Sequence, residues 1–174
     1  MLRTAILGTA MGLSLIGAAW AQEFPKPGPE HDKLKELVGE WDAVMTMGDQ
    51  KSKATATYRS ICHGMWVESD FHGAIGDQKF QGHGLDGYDL KKKKYVGVWV
   101  DSFESGPMHF EGDYDPQSKL LVMTGESLGP DGKPQKFKNT TENKDKDHFT
   151  FKMYMVLPGG QEQLAFTIDY TRRK

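Results

Sequence analysis

From Trp41 to the C-terminus, apolar residues recur at every second position with polar residues between them. Trp41, Ala43, Met45 and Met47 share one parity, and Ala54, Ala56 and Tyr58 repeat it. The alternation continues through Met65-Val67-Ser69-Phe71, Phe80-Gly82-Gly84-Asp86-Tyr88, Tyr95-Gly97-Trp99-Asp101-Phe103 and Met108-Phe110-Gly112-Tyr114. After segments 120–124 and 134–142 it ends in Phe149-Phe151-Met153-Met155 and Leu164-Phe166-Ile168-Tyr170. A period of two belongs to strands that bury one face. Turn residues punctuate the series at Gly48-Asp49, Gly76-Asp77, Asp115-Pro116, Pro130-Asp131-Gly132, 143–147 and Pro158-Gly159-Gly160. Such short connections leave no room for crossover helices, so the strands run antiparallel as a meander. About ten twisted strands curl and close, which removes exposed edges. The pattern predicts an all-β, roughly ten-stranded antiparallel barrel. A two-sheet sandwich is the alternative, and it would need longer links.

The segment before Trp41 reads differently. His31, Leu34, Leu37 and Val38 fall on one helical face, with Lys33, Lys35 and Glu36 opposite, which predicts a short helix over 30–38. Glu30 and Asp32 suit its first turn, and Gly39 suits its C-terminal cap. The preceding stretch 22–29 is a proline-rich, extended leader. Arg3, an uncharged apolar run over 5–18 and the small residues Ala19 and Ala21 predict a signal peptide cleaved after Ala21. That run is shorter than the roughly 20 residues of a membrane span. The expected product is periplasmic or secreted, with one barrel domain over 30–174.

Composition narrows the classes. Net charge is −2, so there is no basic footprint for nucleic acid. The dense basic run 91–94 sits in an expected hairpin loop and reads as a solvated turn. Cys62 is the single cysteine, so no intrachain disulfide forms, and its neighbours predict a half-buried apolar role.

One hairpin can be registered from its loop. With residues 90–93 as a four-residue turn, Tyr88 faces Tyr95, Gly84 faces Trp99, and Phe80 faces Phe103. A glycine opposite Trp99 leaves room for the indole.

Several stretches carry a family likeness. They are Pro29-Glu30-His31 with 34–41, Gly84-Leu85-Asp86-Gly87-Tyr88-Asp89, the run 94–102, Gly106-Pro107-Met108 and Tyr170-Thr171-Arg172-Arg173. Together they resemble the bacterial family called domain of unknown function 1579, over nearly the whole expected mature chain. The resemblance implies an exported bacterial barrel and no established activity. More distantly, the short helix, Gly39-x-Trp41 and a late arginine look like lipocalin and fatty-acid-binding barrels. That likeness implies that Arg172 or Arg173 packs on the Trp41 indole.

The inward face fixed by Trp41 would carry large apolar walls interrupted by glycines 82, 84, 97 and 112. Such walls suit a pocket for a hydrophobic or aromatic molecule, although side chains can also fill a barrel of this size. The residues expected to line it are Trp41, Met45, Phe80, Tyr88, Tyr95, Trp99, Phe103 and Phe110, with Asp101 as polar anchor. Asp86 shares that face, so an unpaired Asp86/Asp101 couple could serve as acid and base in a cofactor-free enzyme. A barrel with a solid interior would instead be an interaction module of the cell envelope. Glu68-Asp70-His72 and His109-Glu111-Asp113 alternate on the opposite face, so as metal ligands they would stand in solvent. Haem would need an inward histidine; His83 and His148 are the nearest candidates. No Gly-x-Ser-x-Gly elbow or Gly-rich phosphate loop occurs. The expectation is a non-catalytic barrel for a small apolar ligand, with no cofactor assigned and the oligomeric state open.

Overall fold

A computed structural model describes residues 24–129 and 132–174; the expected signal peptide and Pro130-Asp131 lie outside the described residues. Ten strands are present among them: β1 (Gly39–Met47), β2 (Gln50–Ile61), β3 (Trp66–Ile75), β4 (Gln78–Asp89), β5 (Lys94–Asp101), β6 (Met108–Asp115), β7 (Leu120–Leu128), β8 (Pro134–Asp145), β9 (His148–Val156) and β10 (Glu162–Arg172). Each pairs antiparallel with its sequence neighbours, and β10 closes back on β1 with Trp41 opposite Arg172 and Ala43 opposite Tyr170. The barrel is closed. No helix among the described residues is long and apolar enough to cross a membrane.

The alternation turns inward as expected. Trp41, Ala43, Met45, Ala54, Ala56, Val67, Phe71, Tyr95 and Phe110 are buried, whereas Val44 and Val100 between them are exposed. The β4–β5 register is the expected one, with Gly84 opposite Trp99 and Tyr88 opposite Tyr95. Trp99 lies flat along the β4 wall. A Cβ on Gly82 would stand 2.1 Å from the indole Cζ2, so a side chain there would displace the ring.

The helix α1 (Pro29–Lys35) closes the end of the barrel where β1 begins, and buries Leu34 and His31. It is shorter than 30–38. Its cap is Glu36, after which Leu37 and Val38 descend in tight turns, donating their N–H groups to the carbonyls of Leu34 and Lys35. Gly39 is therefore not the cap. It opens β1 at φ +141, and a Cβ there would lie 2.2 Å from Arg172 Nη1. Trp41 Nε1 donates to the Leu37 carbonyl at 2.8 Å, which fastens the plug to the floor.

Local geometry corrects four further expectations. Cys62 is exposed, because it opens a single turn of 3₁₀ helix in a left-handed conformation at the end of β2. Met47 is 39% exposed, since β1 has by then reached the open rim. A bulge between Leu164 and Phe166 inserts Ala165 and throws Leu164 outward, at 52% exposure. Phe103 lies beyond the end of β5 and is 46% exposed.

Candidate functional site

The two ends of the barrel differ. The floor is formed by α1, Leu37, Trp41 and the ends of β4, β6, β8 and β10. Arg172 braces it from below: Nη1 donates to the Val38 carbonyl at 2.6 Å and Nη2 to that of Glu36 at 3.0 Å, while the guanidinium lies 4.0 Å from the Trp41 ring centroid. Arg172 is thus the arginine that packs on the indole. Trp41 also meets Phe149 edge-on at 4.7 Å, and Phe149 stacks on Tyr170 at 4.0 Å.

Among the described residues, no helix covers the opposite end. Its rim carries Phe80 and Phe103, in edge contact at 5.3 Å, and the half-buried Phe80 in turn meets Phe71 at 5.9 Å. Asp101 sits at this rim, where the chain itself supplies it with three donors. It accepts hydrogen bonds from Trp99 Nε1 and from the backbone N–H groups of Phe103 and Glu104. It holds the indole against the wall and turns the chain out of β5.

Between floor and rim, the buried side chains form two clusters rather than one. The first gathers Trp41, Met45, Phe71, Phe149, Ile168 and Tyr170, and the second Tyr95, Phe110, Leu121, Met123 and Met153. Tyr58, Trp99, Phe151 and Phe166 touch both clusters yet are only partly buried, although they point to the barrel axis. In a closed barrel such inward exposure is to the interior or to its open rim. A solid core would unite into one contiguous cluster with these residues at its centre.

Asp86 faces this space. It stands opposite Val67 on β3 and Gly97 on β5, four residues along β5 from the level of Asp101. At about 3.3 Å per residue the two levels are roughly 13 Å apart, so the two aspartates form no acid/base couple. Among the described residues no hydrogen bond or ion pair to Asp86 is found, and Oδ1 hangs over Gly97, 2.5 Å from where a Cβ would be. Burial alone raises its pKa to about 7, because the charged form is desolvated with nothing to compensate it. The nearby Tyr58 hydroxyl is hydrogen-bonded to that of Tyr170. Its own pKa is raised well above the usual tyrosine value by burial, then by Tyr170 and Asp86. Asn139, 4% exposed, adds a polar group on the far wall.

The expected lining residues therefore divide. Trp41, Tyr88 and Tyr95 belong to the floor, where Tyr88 and Tyr95 meet at 5.1 Å and burial raises the Tyr95 hydroxyl to about 12. Met45 and Phe110 are wall residues, and Phe80, Trp99, Asp101 and Phe103 surround the rim. Sequence reasoning passed over Tyr58, Asn139, Phe151 and Phe166 as lining groups. Tyr58, Phe151 and Phe166 had the right parity, but β8 carries mostly polar inward residues and gave Asn139 no apolar signal.

The remaining candidates lie outside. Asp70 pairs with Arg59 and His83 at 2.5 Å each, and His148 pairs with Asp145 at 2.9 Å, so both candidate haem histidines stand on the outer surface. Among the described residues no three His, Cys, Asp or Glu groups converge to hold a metal. A depression of about 680 Å³ over β5–β8 is lined by outward residues such as Val98, His109 and Thr124. Its charged side chains already pair with one another, as in Lys92–Glu111 and Lys138–Glu162.

A family model described as protein of unknown function (DUF1579) matches residues 26–172. No curated protein matches the chain. The crystal structure of Rv2717c from M. tuberculosis is similar at a TM-score of 0.60 and 13% identity, covering 84% of this chain and 99% of that one. The S-type phycobiliprotein lyase CPES from Guillardia theta is similar at a TM-score of 0.54 and 8% identity, covering 83% and 93%. At these identities the likeness is one of fold.

Proposed function

The chain belongs to the DUF1579 family of proteins of unknown function, and from that premise we propose that it is an exported, non-catalytic barrel that binds a small apolar molecule in its lumen. One observation carries this reading: the partly buried ring of Tyr58, Trp99, Phe151 and Phe166 around the barrel axis, with the unpartnered Asp86 among them. Aromatic and methionine walls with one or two convergent polar groups are the ordinary make-up of a ligand pocket. Closure of one end by α1 and the Trp41–Arg172 brace gives that pocket a fixed floor. A binding role is favoured over a carboxylate-couple enzyme by the separation of Asp86 from Asp101 and by the three donors that occupy Asp101. Export is supported by the charge and apolar pattern of residues 1–21.

Native mass spectrometry of protein recovered from its own periplasm tests both parts. The expected result is a chain beginning at Gln22 that carries a small molecule, released on denaturation. Recovery of the intact N-terminus in the cytoplasm would overturn export. A bare chain that also fails to take up a neutral solvatochromic dye would overturn the lumen site.

A further inference from the structure

The charge lining the lumen is of one sign. Every lysine on the ten strands occupies an outward position, as do His72, His83, His109 and His148. Arg172 is the one basic strand residue with inward parity, and its guanidinium is tied below the floor to the Glu36 and Val38 carbonyls. The charged groups left inside are Asp86 and, at the rim, Asp101, which is satisfied by the chain's own donors. Asp86 therefore has no cation from the strands, in a site walled by tyrosine and tryptophan faces; the buried histidine of α1, His31, accepts the Gly28 N–H at Nδ1 and lies against Tyr88 in the floor.

We propose that this lumen takes a hydrophobic amine, whose ammonium group is received by the Asp86 carboxylate and whose apolar body lies against Trp99, Phe151 and Phe166. The inference rests on the lumen reading above and adds the chemical class of the ligand. A buried carboxylate is strongly favoured by a charged donor and penalised without one. Aromatic faces attract a cation as well as an apolar chain, so one wall serves both halves of such a molecule. A carboxylate ligand would place like charges together in a poorly solvated space. A neutral ligand would leave Asp86 unpaired. The Tyr58–Tyr170 hydroxyl pair beside Asp86 offers a further oxygen acceptor for an ammonium hydrogen.

Matched ligands test this on the folded chain. An octyl series and a naphthylmethyl series, each as amine, alcohol and carboxylate, are titrated calorimetrically at pH 8. The amines are expected to bind at least tenfold more tightly than the alcohols, with the carboxylates weakest. Asp86→Asn should reduce the amines to the level of the alcohols and leave the alcohols unchanged. Asp113→Asn, which removes an equal charge from the outer surface, should alter neither. Alcohols that bind as well as amines, or an amine preference that survives Asp86→Asn in a protein with an unchanged far-UV spectrum, would overturn the amine assignment while leaving the lumen site standing. Failure of all six compounds to bind would remove the lumen site and the amine together.

Discussion

Asp86 is the residue at which stability and binding oppose each other. Its folded pKa of about 7 lies above the unfolded value, so the fold prefers the protonated form. Below about pH 4 both states are protonated and no penalty exists. As pH rises from about 4 to about 7 the unfolded state ionises first, and stability falls over that window before levelling off. The ceiling on this loss is about 4 kcal/mol, and water reaching the lumen reduces it to about 1–3 kcal/mol. Asp86→Asn is accordingly expected to stabilise the protein by that amount at pH 8 and by almost nothing at pH 4. Urea denaturation of both proteins at the two pH values checks this, and a difference independent of pH would contradict it. The comparison must be made against the variant, because Asp70, Asp89, Asp115 and Asp145 are held low by hydrogen bonds and titrate in the opposite direction. At the same scale, Gly82→Ala puts a methyl group into the Trp99 ring. About 1–3 kcal/mol of destabilisation is expected, with a shifted tryptophan emission maximum as the indole leaves the wall.

At the scale of elements, the plug helix is too short to hold itself together and depends on its anchors. Arg172 supplies two carbonyl contacts to the turn after α1, a third to Lys146 at 2.8 Å, and the stacking contact with Trp41. Arg172→Ala should cost about 2–4 kcal/mol, combining lost charge-assisted hydrogen bonds with the cation–π contact. Arg172→Lys should restore little, because an ammonium cannot reach several carbonyls and lie flat on the ring at once. Chemical denaturation of the two variants distinguishes this from a simple charge effect, which lysine would rescue. The hairpin loops at the floor end are made by aspartates. Asp89 accepts from the N–H groups of Lys91 and Lys92, and Asp115 from those of Gln117 and Ser118, each before a residue of positive φ. Composition alone marked these loops as turns, and this chemistry is the reason.

At the scale of the molecule, closure joins β1 to β10, so Trp41 meets Arg172 across most of the chain. No strand is left as an edge, and no part of the barrel can be lost without opening it. Unfolding should therefore be a single transition, with tryptophan fluorescence and far-UV dichroism coincident in urea. Two separated transitions would show that the two core clusters fold independently. Folding should fall in the millisecond-to-second range of non-local β topologies, which stopped-flow refolding measures.

The strands, their parity, the closed meander and the Gly84–Trp99 register were legible because each depends on local period and turn chemistry. The family likeness was legible from short runs such as 34–41 and 94–102. Five local exceptions were not: the shortened helix, the Ala165 bulge, the exposed Cys62 and the rim positions of Met47 and Phe103. Each follows from where an element meets its neighbours, which no local pattern records. The same limit explains the two aspartates. Asp86 and Asp101 share a parity and looked alike along the chain, but whether a carboxylate is satisfied depends on donors that the fold brings to it. Asp101 lies where β5 ends and its own turn supplies three donors; Asp86 lies in mid-barrel, where every backbone donor is already committed to the ladder. Sequence determined the parity of each strand, and tertiary structure decided where that parity breaks and which inward carboxylate received no donor from the chain.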